Sequence, residues 1–415
     1  MKLLPALLQK VIKKGRLTLV DPKGHSQTFG GTEPGPEVTL IVRHPSVDWK
    51  LFLNPELHAA EAYMDGHIDV ESGDIYDLLE IFFVNKRNFD KSPTQIFWNG
   101  LSRKLKRVRQ HNPISRSLGN VKHHYDVGND LYEMFLDADM QYSCGYFPTG
   151  DETLEEAQQL KMRHLAAKLR VEDGQRILDI GCGWGGLAIY LASIADVEVT
   201  GVTLSEEQLK FARRRAAERG VDDRVKFELR DYRHVTETFD RVISVGMLEH
   251  VGANHLGEYF LAVRDRLGPG GLSLVHSIST KSPPGVTGPF LRKYIFPGGY
   301  SPSLSETTAA IEKTGLWVCD VETWRVHYGH TLRQWRTRFT ARRDEVAAMY
   351  DERFCRMWEF YLAACEGAFK HGSAMVFQAQ LGRDRDSAPL HRDYIPAAEA
   401  KLAAREPTGA IRRAA

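Results

Sequence analysis

Long apolar runs are missing from this chain. No uninterrupted stretch approaches the roughly 18–20 residues of a membrane span, so no bilayer-crossing helix is expected. Cysteine is scarce: five residues, at 144, 182, 319, 355 and 365, form an odd, dispersed set without a C-x-x-C pair. That pattern offers neither a disulfide framework nor a structural zinc site, and it suits a reducing cytoplasm. An excess of charge of either sign is also absent. The 55 basic and 54 acidic residues leave a formal net charge of +1, so attraction to a polyanion must come from a local patch, and no nucleic-acid partner is expected. The apolar stretch 1–14 is broken by Pro5 and Lys10 and lacks a small-residue cleavage site, so it reads as an amphipathic first helix rather than a signal peptide.

What is present is enough material for two domains. Of 415 residues, 42% are hydrophobic and 26% charged, which allows a sizeable core under a solvated surface. Residues 1–95 read as a small α+β domain with a lipid-holding or dimerising role. Its expected strands are Arg16–Val20, Val38–Val42 and Lys50–Leu53, and its expected helices Pro55–Met64 and Ile75–Val84. Residues 96–117 differ. At about 100° per residue, Phe97, Trp98, Leu101, Leu105 and Val108 share one side, opposite Arg103, Lys104, Lys106, Arg107 and Arg109. An apolar stripe opposite a basic face suits an anionic membrane surface; an ordinary linker helix has the same pattern.

From about residue 171 strands and helices alternate. Strands are expected at Arg176–Ile180, Glu198–Thr203, Val225–Leu229, Arg241–Val245 and Leu272–Val275. Helices are expected at Gly186–Ile194, at Leu256–Leu267 and after Ser205, where Gln208 completes a capping-box signature and Gly220 closes the helix. This alternation implies a parallel sheet covered on both faces, with ligands at the carboxyl ends of its strands. A domain spanning 118–385 is expected, followed by a loose tail over 386–415.

The sharpest motif is Leu178-Asp179-Ile180-Gly181-Cys182-Gly183-Trp184-Gly185-Gly186, between a strand and a helix. A G-x-G alone also fits a dinucleotide fold. Here, however, Asp179 ends the first strand, the second is followed by Thr203-Leu204-Ser205 rather than a ribose-binding carboxylate, and the third ends in Asp231-Tyr232. An acid beside a ring suits hydrogen-bonding and covering an adenine. The arrangement resembles that of class I S-adenosylmethionine-dependent methyltransferases, with Thr203 and Gln208 replacing the usual ribose-binding acid by neutral hydrogen bonds. The fold class implied is α/β: a Rossmann-like methyltransferase sheet with helices on both faces, beside the small N-terminal α+β domain.

Upstream lie His123-His124-Tyr125-Asp126-Val127-Gly128-Asn129-Asp130-Leu131-Tyr132 and Gln141-Tyr142-Ser143-Cys144-Gly145-Tyr146-Phe147. Adjacent histidines rarely chelate one ion together and no third ligand stands out, so no metal is expected. These segments, with Gly246-Met247-Leu248-Glu249-His250-Val251-Gly252, Val275-His276-Ser277-Ile278, His327-Tyr328-Gly329-His330-Thr331-Leu332 and Ala364-Cys365-Glu366-Gly367-Ala368-Phe369, resemble cyclopropane fatty acid synthases and mycolic acid cyclopropane synthases. The resemblance runs in the same order from about 118 to 382. It implies a bicarbonate-binding cluster of Cys144, Glu249, His276, Tyr328 and the backbone near Ile278. It also implies a donor site lined by Tyr142, Ser143, Asp179, Gly181, Gly183, Thr203, Leu204, Gln208, Asp231 and Tyr232. Cys365 matches a cysteine assigned as catalytic in some readings of the family, although its helix reads as packed apolar surface, where a cysteine is usually a small hydrophobe.

The implied reaction carries the methyl carbon of S-adenosylmethionine onto the cis double bond of an unsaturated phospholipid acyl chain. Bicarbonate then takes a proton so that a cyclopropane ring closes. Phe147, Tyr294, Phe296 and Trp335 are candidates for stabilising the cation, with plain core packing as the other reading of each. The resemblance also implies a homodimer, peripheral at the inner face of the membrane. Competing readings are a methyl-branched or methylenated product, a small-molecule C- or N-methyltransferase, and a non-catalytic lipid-binding protein. If the basic segment meets lipid, charge reversal across Arg103–Arg109 weakens co-sedimentation with anionic vesicles, and the parent's binding falls as salt rises. Unchanged co-sedimentation refutes that role.

Overall fold

The computed structural model describes residues 1–90 and 128–407. The basic segment 97–109 and the motif residues 123–127 lie outside them. The described residues fall into two compact units: 1–90, 286–297 and 332–373 in the first, and 128–285, 298–331 and 374–407 in the second.

The first unit opens with helix α1 (Leu3–Val11), whose Leu4, Leu8 and Val11 are buried at helical spacing. Strands β1 (Lys14–Val20), β2 (Ser26–Gly30), β3 (Glu33–Val42) and β4 (Ile68–Ser72) form a sheet ordered β2-β1-β3-β4, with β1 and β3 parallel. Lys50–Leu53, expected as a strand, belongs instead to helix α2 (Val47–Leu53), because Val47 and Leu51 repeat at four residues and bury one face. Helices α3 (Pro55–Met64) and α4 (Ile75–Val84) lie where expected, α4 under a capping box between Asp74 and Asp77. A later helix, α5 (Glu352–Lys370), joins this unit and packs on α3 and α4. Its Gly367 lies against the Phe83 ring so closely that a Cβ would stand 2.3 Å from it. The unit is thus larger than the expected 1–95. Helix α5 buries Cys355, Trp358, Leu362 and Phe369, an apolar face that must be covered.

The second unit holds a seven-stranded sheet of β5 (Arg176–Ile180), β6 (Glu198–Thr203), β7 (Val225–Leu229), β8 (Phe239–Val245), β9 (Leu267–Thr280), β10 (Trp317–Trp324) and β11 (Ala374–Gly382), ordered β10-β11-β9-β8-β5-β6-β7. Strands β5 to β9 pair in parallel; β11 runs antiparallel to both β9 and β10, so the sheet is mixed at one edge. Neighbouring strand residues enter separate cores. Ile177, Val199, Ile243 and Leu274 face helices Leu154–Leu169, Gly186–Ile194 and Glu206–Glu218, whereas Leu178, Val202, Val242 and Val275 face Leu256–Arg266 and Leu304–Glu312. Ser205 caps the Glu206–Glu218 helix through the Gln208 N–H, but the Gln208 side chain turns away to Thr203, so only half of the expected capping box forms.

The segment expected to be a loose tail is built into this unit as far as residue 407. Helix Tyr394–Ala403 buries Ile395 and Leu402 in the core. Beyond it, Glu406 accepts from Arg163 Nε at 2.8 Å and Nη2 at 2.5 Å, from Gln159 Nε2 at 2.5 Å and from Tyr190 Oη at 2.7 Å. Glu399 pairs with His164 and Tyr394 Oη accepts from Gln380, so polar contacts scattered along the segment hold it as much as its two buried apolar residues, a signal that periodicity does not reveal. Glu406→Ala leaves the half-buried Arg163 without its anion and is expected to cost about 2–3 kcal/mol in urea denaturation. A loss under about 0.5 kcal/mol means that this anchor contributes only as a surface ion pair does.

Candidate active site

The chain leaves β5 through three left-handed glycines, Gly181 (φ 80°), Gly183 (φ 55°) and Gly185 (φ 80°), before helix Gly186–Ile194. This backbone conformation favours glycine. The N–H groups of Gly181 and Cys182 donate to Val202 O at 3.0 and 3.1 Å, holding the turn against β6, and open space surrounds the Cα of Gly183. Asp179 lies beneath the loop with Oδ2 buried and without a hydrogen-bond partner among the described residues. Burial pushes its carboxyl up to about 7, against the pull of the Lys161 charge.

After β6, Thr203 Oγ1 donates to Gln208 Oε1 at 2.9 Å and accepts the Ser205 N–H at 3.2 Å, with Leu204 half-buried between them. After β7, Asp231 is already engaged: Arg233 reaches it through Nε at 2.8 Å, Nη2 at 2.6 Å and its backbone N–H at 3.0 Å. Burial raises a carboxyl's pKa, but the Arg233 contacts outweigh it and hold Asp231 below its ordinary value. The Tyr232 ring packs edge-on against Tyr259 at 5.5 Å, inside the core.

Two residues overlooked in the sequence organise the loop upstream. Lys161 is fully buried on helix Leu154–Leu169; its Nζ donates to Gln141 Oε1 and, at 2.9 Å, to Ser143 Oγ. Gln158, one turn earlier, donates to Ser143 O at 2.9 Å and Gln141 O at 3.3 Å. Burial presses the Lys161 ammonium's pKa down, while the nearby Asp137 pulls the other way. These bonds fix Tyr142, Ser143 and Cys144 in one stretch, and the Tyr142 ring stands edge-on to Tyr132 at 5.1 Å. The signal was polar residues at helical spacing, Gln158, Lys161, His164 and Lys168, on a helix that a sheet has to cover.

Glu249 follows β8 and meets Ile278 of β9, two residues beyond His276 on the same strand. The Ile278 N–H donates to Glu249 Oε1 at 2.6 Å, and the buried Oε2 has no hydrogen-bond partner among the described residues. Burial pushes this carboxyl up to about 6, although the Ile278 bond works against it. His276 is buried, with the Trp324 ring edge-to-face at 5.3 Å. Cys144 is fully buried; burial raises its thiol well above the ordinary range, and Sγ donates to Gly145 O at 3.3 Å. Tyr328 is half-buried in the first turn of helix His327–Ala341. That turn is stitched to the Cys144 loop: Gly145 N–H donates to Thr331 Oγ1 at 3.0 Å, and Phe147 N–H to His327 Nδ1 at 3.1 Å. Trp324 lies against both His276 and His327, the latter at 5.4 Å. Its ring therefore bridges His276 to His327, the residue before Tyr328.

The family model described as mycolic acid cyclopropane synthetase matches residues 113–379, and a domain of unknown function (DUF7884) matches 7–94. The chain belongs to the mycolic acid cyclopropane synthetase family. A probable fatty acid methyltransferase of Pseudomonas putida is 37% identical over 376 residues, which cover 89% of this chain and 92% of the relative. The cyclopropane-fatty-acyl-phospholipid synthase of Escherichia coli (strain K12) is 39% identical over 351 residues, covering 83% and 87%. A crystal structure of a mycolic acid cyclopropane synthase complexed with SAH and CTAB matches with a TM-score of 0.61 at 29% identity, covering 66% of this chain and 99% of that one. The protein is an S-adenosylmethionine-dependent methyltransferase.

Not every candidate of this family member falls in the second unit. Cys365 belongs to the first, on α5; burial alone pushes its thiol up to about 12, and no neighbouring charge offsets it. Tyr294, Phe296 and Trp335 are in the first unit too. Tyr294 donates to Glu61 at 3.0 Å and already faces two cations, Lys293 at 4.9 Å and Arg353 at 5.8 Å. Phe296 packs on Tyr361 at 5.8 Å, and Trp335 is fully buried. Phe147 alone of the four lies in the second unit, 5.4 Å from the His330 ring.

The buried Asp179 gives a test of this electrostatic picture. With its carboxyl near 7 when folded and near 3.8 when unfolded, the native state keeps a proton that the unfolded chain has released. Its contribution to stability therefore falls as pH rises between these values. Asp179→Asn removes that slope, so relative to the parent it should gain about 1–3 kcal/mol between pH 5 and pH 8, read by urea denaturation. Parallel curves across that range would show that Asp179 ionises normally.

Proposed function

We propose that this protein transfers the methyl carbon of S-adenosylmethionine to a cis double bond in the acyl chains of membrane phospholipids and closes a cyclopropane ring, with bicarbonate as the proton acceptor. The observation that carries the reading is Glu249: a buried carboxylate with one oxygen held by the Ile278 N–H and the other without a hydrogen-bond partner among the described residues, while His276 lies buried two residues before Ile278. A buried polar atom left open in this way costs stability, and a site for a small oxyanion accounts for it. The name of the Escherichia coli relative supplies the substrate class.

When bound, S-adenosylmethionine supplies an electrophilic methyl group and bicarbonate a weak base. The glycine turn, Thr203 and Gln208, the Tyr142–Ser143 stretch and the segment around Asp231 would hold the donor at the carboxyl ends of β5, β6 and β7. The alkene's π electrons form the new bond to the methyl carbon as its bond to sulfur breaks, leaving positive charge on the adjacent lipid carbon. A proton must then leave the new methyl group, and the electrons of that C–H bond close the ring. His276 and Tyr328 donate hydrogen bonds to the anion, while Glu249 accepts its hydroxyl proton and so turns an unprotonated oxygen toward the lipid. Cys144, kept protonated by its burial, brings no competing charge to the site.

The Pseudomonas putida relative's name favours a second reading, in which the same methyl transfer ends in a methyl-branched or methylenated chain. No described helix is long and apolar enough to cross a membrane. We place the work at the inner membrane face, on lipid reached from the surface, by a homodimer.

Incubation with labelled donor and monounsaturated phospholipid vesicles, followed by gas chromatography and mass spectrometry, tests the reading. A ring and a saturated methyl branch differ by two hydrogens. Ring product is expected, and Glu249→Gln or His276→Ala should lower turnover at least about 100-fold while donor affinity stays within about twofold. Near-parental turnover in either variant overturns the anion site, and an open-chain product overturns the ring.

A further inference from the structure

Strands β9 and β11 run antiparallel, and their register sets Gln378 directly opposite His276. Opposed residues project from the same face of a sheet. Both are buried, Gln378 completely, and its Nε2 lies 3.3 Å from His276 Nδ1. An amide nitrogen can only donate, so Nδ1 accepts and a neutral ring must carry its proton on Nε2. The Trp324 ring, edge-to-face on the imidazole, fixes the ring plane.

The geometry points to Gln378 as a positioning residue that locks His276 in the Nε2–H tautomer, making it a neutral hydrogen-bond donor to the bound anion rather than a base. This assignment rests on the anion reading above and deepens it. Burial and the positive charges of Lys161, Lys168 and His164 keep His276 neutral, with only Glu322 opposing them. A neutral ring in the other tautomer turns a lone pair toward the anion, and the contact becomes repulsive. Gln378 Oε1 is itself buried without a hydrogen-bond partner among the described residues. An apolar residue of similar size avoids that cost, which argues that the amide is kept for its donor.

The full-length protein labelled with 15N-histidine tests this by long-range proton–nitrogen correlation, with the His276 signal identified by its loss in His276→Gln. The parent should show a protonated Nε2 and a bare Nδ1. Gln378→Glu, which offers Nδ1 an acceptor, should move the proton to Nδ1. Gln378→Met, which offers neither donor nor acceptor, should give a mixture. On vesicles with added bicarbonate, kcat is expected to fall about 10–100-fold in Gln378→Glu and less in Gln378→Met, with donor affinity unchanged. A parental ring protonated on Nδ1, or a Gln378→Met variant with parental tautomer and kcat, overturns the assignment. If the tautomer follows Gln378 but parental turnover is the same in carbonate-free buffer, the anion reading fails while the tautomer lock stands.

Discussion

The site depends on one awkward burial. Helix Leu154–Leu169 turns Gln158, Lys161, His164 and Lys168 inward, and two of these are fully buried ammonium groups. A buried charge is tolerable only where partners surround it. Lys168 takes Asp320 at 2.8 Å and Glu322 at 3.0 Å, while His164 is held between Glu322 and Glu399. Lys161 takes the Gln141–Ser143 stretch. Satisfying this helix therefore sets the loop bearing Tyr142, Ser143 and Cys144, and also draws helix Tyr394–Ala403 onto the fold.

The same burial sets the charge of the site. Asp179 and Glu249 are pushed toward their protonated forms, His276 toward its neutral one and Cys144 toward its thiol. Burial thus keeps Asp179, His276 and Cys144 toward their uncharged forms, in surroundings where any remaining charge is felt strongly.

Much of this was legible from the sequence, because β5 to β9 and the intervening helices follow apolar periodicity and glycine punctuation closely. The glycine turn and the separated motifs around Cys144, Glu249, His276 and Tyr328 carried the family. Where the reading failed, the deciding force was tertiary. Lys50–Leu53 is too short for its period to separate strand from helix, and Tyr394–Ala403 buries only Ile395 and Leu402, relying also on polar contacts such as that of Glu399 with His164. Arg233 claims Asp231, which its position after a strand does not foretell. Lys161 and Gln378 escaped notice because a lysine on a polar helix and a glutamine in an edge-proximal strand look solvent-facing until the register is known.

The high thiol pKa values have a consequence for how this enzyme is probed. Alkylating and oxidising reagents attack thiolates, and a group held near 12, as Cys365 is, offers roughly one thiolate in a hundred thousand at neutral pH. Cys144 is more strongly held and fully enclosed. Inactivation by such reagents would then report modification elsewhere or a prior opening of the fold, and would say nothing about a sulfur nucleophile in turnover.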